Sequence, residues 1–326
     1  MATPLPRLFA ALFATLAAFV VDAAPATFEQ AKVALREQVY YDRNTIGDTY
    51  CGCPWRWAGR SGGRVDLQAC GYEVRAQPVR AARTEIEHLV SAWTLGHQRQ
   101  CWQNGGRKNC VATDPVFRAM EADLHGLTVA VGEVNADRSN FNFGQLSSTP
   151  YQYGACRTRV DFKQRTAEPR DEVKGFVARV QFFMHDWYGL SMSRQQQQLF
   201  SAWDRMYPVS DWERERNRRI AKVMGYSNPY VEGGRSWTIG QRPSGEGLAR
   251  LGEAKHPFRE DSRPVPPPTQ VVRADAAPVI GNRNSGIYHL PAGCPSYEQV
   301  SPRNRIEFKS AADAEAAGMR KAGNCR

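Results

Sequence analysis

The sequence predicts an α+β protein: a largely helical, disulfide-stapled main domain, a Pro-rich linker and a small α+β module at the C-terminal end. Three observations predict this. Residues 171–225 hold three successive segments with apolar residues at helical spacing, each opened by a capping side chain. Eight cysteines, six of them between Cys51 and Cys156, mark a loop-rich first part held by bridges. From about Val231 to Ala277 the composition turns to Gly, Pro and charge, including Pro264-Val265-Pro266-Pro267-Pro268, as a linker does.

The 326 residues are 42% hydrophobic with a mean hydropathy of −0.54, which excludes a multi-span membrane protein. Lysine and arginine number 43 against 33 acidic residues, a net charge of +10. Such an excess attracts polyanions, whether nucleic acid, anionic lipid or acidic polysaccharide, and does not choose among them.

Residues 1–24 read as a secretory signal. Arg7 is the positive end, Leu8 to Val21 is apolar but short for a bilayer, and Ala23, Ala24 and Ala26 are small. The expectation is a soluble periplasmic or secreted protein with oxidised cysteines. Cys51, Cys53, Cys70, Cys101, Cys110 and Cys156 are expected to form three bridges, and Cys294 and Cys325 a fourth. Cys101 with Cys110 is the local choice, closing a loop that carries Arg107 and Lys108. Cys51 and Cys53 pair outward with Cys70 and Cys156 in either arrangement. The Cys51-Gly52-Cys53 spacing is too tight for a zinc knuckle.

In chain order, Thr27-Phe28-Glu29-Gln30 caps a helix that turns Phe28, Val33, Leu35 and Val39 to a core. Short strands are expected around Trp55–Trp57 and Gly71–Val74. Val79 to Val90 is a strand or loop that delivers His88. Asp114-Pro115 opens a helix with Phe117, Met120, Leu124 and Leu127 inward, ending near Gly126. Tyr151 to Phe162 is strand and turn. Asp171 caps a helix with Val173, Phe176, Val177, Val180, Met184 and Trp187 inward. Ser193 caps the next, in which Gln195 to Gln198 are a solvated start and Leu199, Phe200 and Trp203 face in. Ser210 caps a third, with Ile220, Val223 and Met224 inward and Gly225 as its stop. Its basic run, Arg214, Arg216, Arg218, Arg219 and Lys222, is expected to be a solvated face. In the tail, strands are expected at Ile287–His289 and around Ile306–Phe308, then an Ala-rich helix capped by Ser310.

The stretch from Thr84 to Asn140 concentrates chemistry. Cleaving a phosphodiester takes an activated water, neutralisation of charge on the phosphate, and help for the leaving oxygen. His88 is a candidate base. Glu87 and Asn135 offer hard oxygens to Mg²⁺, which keeps several waters and needs few protein ligands. Arg107, in a Gly-rich loop, can hold a phosphate with its fork. Each signal is weak alone: a Glu-His pair is usually structural, an Asn near a helix start usually a cap, a basic loop usually solvated.

Together the motifs are specific. Glu87-His88-Leu89-Val90-Ser91-Ala92-Trp93, Gly96-His97-Gln98-Arg99-Gln100-Cys101-Trp102 and Gly105-Gly106-Arg107-Lys108-Asn109-Cys110 resemble the bacterial endonuclease I family of periplasmic and secreted nucleases. Met120-Glu121-Ala122-Asp123-Leu124-His125, Gly132 to Asn140, Tyr153-Gly154-Ala155-Cys156, Asp161-Phe162-Lys163 and Asn228-Pro229 continue the likeness, which runs from about Thr27 to Val231. The resemblance implies a ββα-metal (His-Me finger) active site with His88 as general base, Glu87 and Asn135 as Mg²⁺ ligands and Arg107 on the scissile phosphate. Mn²⁺ or Ca²⁺ are possible substitutes. It implies cleavage of DNA, and of RNA, with little sequence preference, leaving 5′-phosphate and 3′-hydroxyl ends. Domain bounds follow: signal 1–24, nuclease domain 25–231, linker 232–278, module 279–326. The expected state is a monomer.

Two departures stand out. Ser91 replaces the proline usual after Glu-His-Val-Val, and Arg214 stands where a late cysteine is common, so the bridge made by that cysteine is expected to be absent. His97 and His125 are read as core or supporting groups in preference to zinc ligands, and His185 and His256 receive no role. Glu121 and Glu133 either back the site or lie on a helix surface. The tail, with Gly281 to Ser285, Ile287 to Pro291 and Cys294-Pro295-Ser296-Tyr297, resembles modules distantly similar to the zinc-binding domain of a methylphosphotriester-repair regulator. Only Cys294, Cys325 and nearby His289 remain of a metal set, so a disulfide is favoured over zinc there. The rival to catalysis is an extracytoplasmic protein that binds DNA for uptake.

Overall fold

The computed structural model describes residues 24–253, 278–323 and Cys325. The expected signal up to residue 23 and the linker residues 254–277, His256 among them, lie outside the described residues. The protein is α+β, in two units that part near residue 258.

In the first unit Thr27 caps α1 (Phe28–Ala34) by accepting from Gln30 N, and a π-helical turn, Leu35–Val39, continues it. β1 (Trp55–Ala58) and β2 (Gly62–Val65) form an antiparallel hairpin with Trp55 opposite Val65. The strand expected at Gly71–Val74 does not form; Tyr72 makes only an isolated bridge to Gly154. The donors that follow go elsewhere: the Tyr72 hydroxyl and the amides of Arg75, Ala76 and Gln77 all donate to the buried Glu133 carboxylate. Within the expected strand, Gly71 N and Tyr72 N close a turn on the carbonyls of Gln68 and Leu67, so they are not available to a ladder.

α2 (Pro78–Ala81) leads into β3 (Thr84–His88), which pairs antiparallel with β4 (Leu127–Val131), Thr84 opposite Val131 and His88 opposite Leu127. Between the strands run α3 (Ala92–Gly96), α4 (Gln100–Gln103), α5 (Gly106–Thr113) and α6 (Pro115–Ala122). Asp114 caps α6, accepting Phe117 N at 2.9 Å. The helix expected to run to Gly126 stops at Ala122. Asp123 is extended, and its carboxylate takes His125 N and the hydroxyls of Tyr188 and Tyr226. Leu124–Gly126 is a 3₁₀ turn, and Leu127 belongs to the strand. Tertiary partners outweigh helical spacing here. α7 (Gly132–Arg138) follows β4 without a break, so β3, β4 and α7 form one ββα unit.

β5 (Asn142–Phe143), β6 (Arg159–Asp161) and β7 (Thr166–Glu168) make a small sheet with β7 in the middle. α8 (Asp171–Trp187), α9 (Arg194–Met206) and α10 (Asp211–Met224) follow, then α11 (Pro229–Glu232) and α12 (Glu246–Arg250). Arg170 is the N-cap of α8, and Asp171 its first-turn acid. α8 was expected to bury one face; it is buried on almost all sides, and its polar groups are paired. Lys174 donates to Glu168 at 2.7 Å and Arg179 to Glu213 at 2.7 Å. Ser193 and Ser210 cap α9 and α10, and Gly225 stops α10 at φ 74°. Gln197 is not solvated: it is buried, and its Oε1 accepts from Trp237 and Gly240. The basic run of α10 is only partly a solvated face. Arg216 is buried and donates to the carbonyls of Leu124, His125 and Leu127, the open end of the 3₁₀ turn. Arg219 pairs with Asp42.

Residues 233–253, expected to begin the linker, pack instead against α8. Leu248 is buried, and a Cβ at Gly247 would stand 2.2 Å from the Trp187 indole. Leu127 and Val129 enter one apolar cluster with Leu35, Val39, Ile86 and Ile220; Ala130 enters the other, with Leu89, Val177 and Phe183. Val131 joins Ala130 in that second cluster, so β4 passes from one core to the other along its length. Three bridges staple the unit: Cys51–Cys156, Cys53–Cys70 and Cys101–Cys110.

The second unit is a four-stranded sheet ordered β10-β8-β9-β11, from β8 (Val279–Asn282), β9 (Ile287–His289), β10 (Arg305–Phe308) and β11 (Arg320–Lys321), with α13 (Ala311–Ala316) against it. Cys294–Cys325 closes it. Among the described residues no helix is long and apolar enough to cross a membrane.

Candidate active site

The ββα unit builds the site by two periodicities. Along β3, Glu85 and Glu87 share one side; along α7, Asn135 and Arg138 are one turn apart and share one side. The helix meets the strand as two rungs. Asn135 Nδ2 donates to Glu85 Oε2 at 2.9 Å, and Arg138 Nη1 donates to Glu87 Oε1 at 3.0 Å. Gly132 permits the close approach: a Cβ there would lie 2.6 Å from the Arg80 carbonyl and 3.0 Å from Glu85. Ser139, with φ 50° and ψ −124°, breaks the chain away immediately after Arg138.

Glu87 is 4% exposed. Its Oε1 accepts from Tyr50 at 2.8 Å and from Arg138, the carboxylate also faces the His88 backbone N–H, and no side chain among the described residues donates to Oε2. Burial raises its pKa, opposed by Arg138 and the Tyr50 hydroxyl. A guanidinium at 3.0 Å in a dry setting is what an anionic Glu87 requires. Arg138 also donates to the carbonyls of His88 and Leu89, clamping the end of β3.

His88, one residue on, turns toward α1 and α6. Its Nε2 lies 2.8 Å from the Glu121 carbonyl oxygen, and its ring centroid lies 4.5 Å from that of Phe28. A carbonyl can only accept, so Nε2 carries the hydrogen. Burial, then the nearby charges of Arg107 and Arg138, push the pKa of His88 down to about 3. The ring is therefore neutral, with the lone pair on Nδ1. Arg107 Nε donates to Glu121 Oε2 at 3.0 Å, and its guanidinium lies 5.3 Å from the centre of the Phe28 ring. The two Nη groups of Arg107 have no protein acceptor among the described residues.

Glu87, His88, Arg107 and Asn135 all line one cavity of about 620 Å³. Lys32, Arg80, Arg83 and Arg107 give its wall positive charge. The oxygens fit a hard divalent cation: Glu87 Oε2 has no side-chain donor among the described residues, and Glu85 holds Nδ2 of Asn135 so that Oδ1 is the atom left to bind. No zinc set forms from His88, His97 and His125. His97 Nδ1 donates to the Trp93 carbonyl, and buried His125 binds the Tyr226 carbonyl through Nε2. Among the described residues the one group of three metal-type side chains is His289, Cys294 and Cys325, in which both sulfurs are already in a disulfide.

Phe28 packs, as expected, on the edge of the cluster that holds Leu35 and Ile86, and it also reaches the site. It is half-buried and stands between His88 and Arg107. Glu121 backs the site through both its carbonyl and its carboxylate, and Glu133 holds the 72–77 loop. Sequence reasoning missed the roles of Glu85, Arg138 and Phe28. The signal for Glu85 was the strand period, which places it beside Glu87; the signal for Arg138 was its i+3 offset from Asn135.

The Endonuclease I family profile matches residues 27–234. The chain is 49% identical over 207 residues to an extracellular deoxyribonuclease of Aeromonas hydrophila, covering 63% of this chain and 89% of that one. It is 50% identical over 184 residues to a periplasmic deoxyribonuclease of the same organism, covering 56% and 77%. It is 41% identical over 204 residues to an endonuclease-1 of Buchnera aphidicola subsp. Acyrthosiphon pisum (strain APS), covering 63% and 80%. With the family profile spanning the ββα unit and helices α1 to α11, this chain belongs to the endonuclease I family of nucleases.

Proposed function

We propose that the protein is a Mg²⁺-dependent, sequence-non-specific endonuclease that hydrolyses DNA, and RNA as well, outside the cytoplasm. The observation that carries it is the convergence on one basic cavity of a neutral imidazole nitrogen, two hard oxygens without a side-chain donor among the described residues and a half-free guanidinium. The location is supported by four disulfides and by the periplasmic and extracellular relatives.

His88 Nδ1 takes a proton from the attacking water as general base, and the Glu121 carbonyl holds the ring by Nε2–H so that Nδ1 faces the cavity. Among the described residues no carboxylate hydrogen-bonds the imidazolium formed in this step, so the proton is readily passed on. Arg107 holds the scissile phosphate through its two Nη groups while Glu121 anchors Nε. Glu87 Oε2 and Asn135 Oδ1 would hold the divalent ion, which when bound supplies Lewis-acid stabilisation of charge at the phosphate and the leaving 3′-oxygen. Cleavage on that side of the phosphorus leaves a 5′-phosphate and a 3′-hydroxyl. The side chains that line the cavity offer positive charge to phosphate, and phosphate contacts carry no base sequence.

The test is end analysis of the fragments. Products made with Mg²⁺ should take label from polynucleotide kinase only after phosphatase treatment, and should ligate directly. Fragments that accept label without phosphatase carry 5′-hydroxyl ends and overturn the assignment.

A further inference from the structure

A second, smaller cavity of about 210 Å³ adjoins the catalytic one, and Ser91, Trp93 and Arg138 line both. Trp93 sits on α3, whose N-cap Ser91 accepts Thr94 N at 3.1 Å. Its indole is 43% exposed and belongs to neither apolar cluster. It lies flat on His97, four residues on, with ring centroids 3.9 Å apart and planes 5° apart. His97 is itself fixed, because its Nδ1 donates to the Trp93 carbonyl at 2.9 Å. A wide aromatic surface is thus held rigid at the mouth of the cleft where the fold does not need it for packing.

The rest of the small cavity is chemically mixed. Gln98 and Asn142 are exposed and make no side-chain hydrogen bond among the described residues. Gln196 donates Nε2 to the Phe143 carbonyl, which leaves its Oε1 as an acceptor. Amides offer both donors and acceptors, so they meet the edge of any base without selecting one.

We propose that this cavity receives an unstacked nucleobase of the single-stranded substrate, one flanking the phosphate held in the cleft, with Trp93 as its stacking platform. The proposal rests on the nuclease reading for what occupies the cleft. A π-face is common to all bases, so the platform adds affinity without sequence preference. It favours single strands, because a base inside a duplex must first leave its stack.

The test is fluorescence anisotropy of a labelled single-stranded oligonucleotide of about eight nucleotides, and of its abasic counterpart, on the full mature chain in EDTA. Wild type should bind the base-bearing strand about tenfold tighter than the abasic one, the effect of one base–aromatic stack. Trp93→Ala should erase that difference, and Trp93→Phe should keep most of it. Equal binding of both strands by the wild type, or full discrimination by Trp93→Ala, overturns the platform. Binding in EDTA needs no turnover, so this result stands apart from whether the protein cleaves; absence of Mg²⁺-dependent cleavage would remove the catalytic reading alone.

Discussion

Glu85 accepts the Asn135 amide nitrogen at 2.9 Å, and is itself gripped by Arg80 and Arg83. A carboxylate held by two arginines thereby sets which atom of the Asn135 amide faces the cavity. Glu85→Ala should raise the Mg²⁺ concentration for half-maximal cleavage by roughly 10- to 100-fold, the usual cost of losing a partner behind a metal ligand. Mn²⁺ binding followed by electron paramagnetic resonance should weaken in parallel, and Glu85→Gln should recover part of it. Unchanged metal affinity in Glu85→Ala would show that Asn135 needs no such support.

Phe28 touches both the His88 ring and the Arg107 guanidinium. Phe28→Ala should lower kcat by about tenfold or more, since small misplacements of reacting groups are costly. Phe28→Tyr or Phe28→Leu should lose less. A Phe28→Ala enzyme with wild-type kcat would reduce Phe28 to a simple surface contact.

Stability should fall on mild acidification. Burial depresses His125 to about 3 and His185 to about 4. Both are therefore neutral when folded and take protons when unfolded, so their contribution is whole above the ordinary histidine pKa and is lost as pH falls toward the depressed values. Each costs roughly 2 kcal/mol by pH 5, from about 1.4 kcal/mol per pH unit below the unfolded pKa of about 6.5. Asp123 acts oppositely: burial raises it to about 6, so it favours the folded state as pH drops through that value. His88, depressed likewise to about 3, is a third such histidine. Burial also raises Asp48, Glu87 and Glu121, which act with Asp123. The prediction is that the three histidines outweigh them. Urea unfolding should show a lower midpoint at pH 5 than at pH 7, and an equal or higher one would contradict the balance.

Cys51–Cys156 spans 105 residues and ties the first loop to the segment before β6. A bridge over that length is worth about 4.7 kcal/mol in the chain-entropy account. Cys51→Ser with Cys156→Ser should melt well below wild type, and catalysis at low temperature should survive because neither sulfur lines the cleft. Equal melting temperatures would mean the bridge adds nothing to this fold.

Much of this was legible in the residues. Capping side chains at Thr27, Asp114, Ser193 and Ser210 placed four helix starts, because a cap is a local bond. Cys101–Cys110 was local too, whereas the partners of Cys51 and Cys53 depend on how distant segments meet. The misreadings share a cause. Leu127 fits a helical stripe and a strand equally, and only the pairing with His88 decides. Arg216 looks like surface charge until a 3₁₀ turn offers it three carbonyls. Within the site, Glu87, His88, Arg107 and Asn135 were named from motifs, and they do share a cavity. The groups that hold them, Glu85, Arg138 and Phe28, make contacts across 50 or more residues; strand and helix periods place Glu85 beside Glu87 and Arg138 beside Asn135, but the contacts between strand and helix need the fold.

The most direct measurement is a plasmid-nicking assay on oxidised protein lacking residues 1–24, with Mg²⁺ or EDTA, and with His88→Ala alongside. The account predicts Mg²⁺-dependent nicking by wild type and a loss of about 10²- to 10⁴-fold in His88→Ala, with the melting temperature and DNA affinity retained. Nicking by His88→Ala at the wild-type rate would contradict the assignment of His88 as the base.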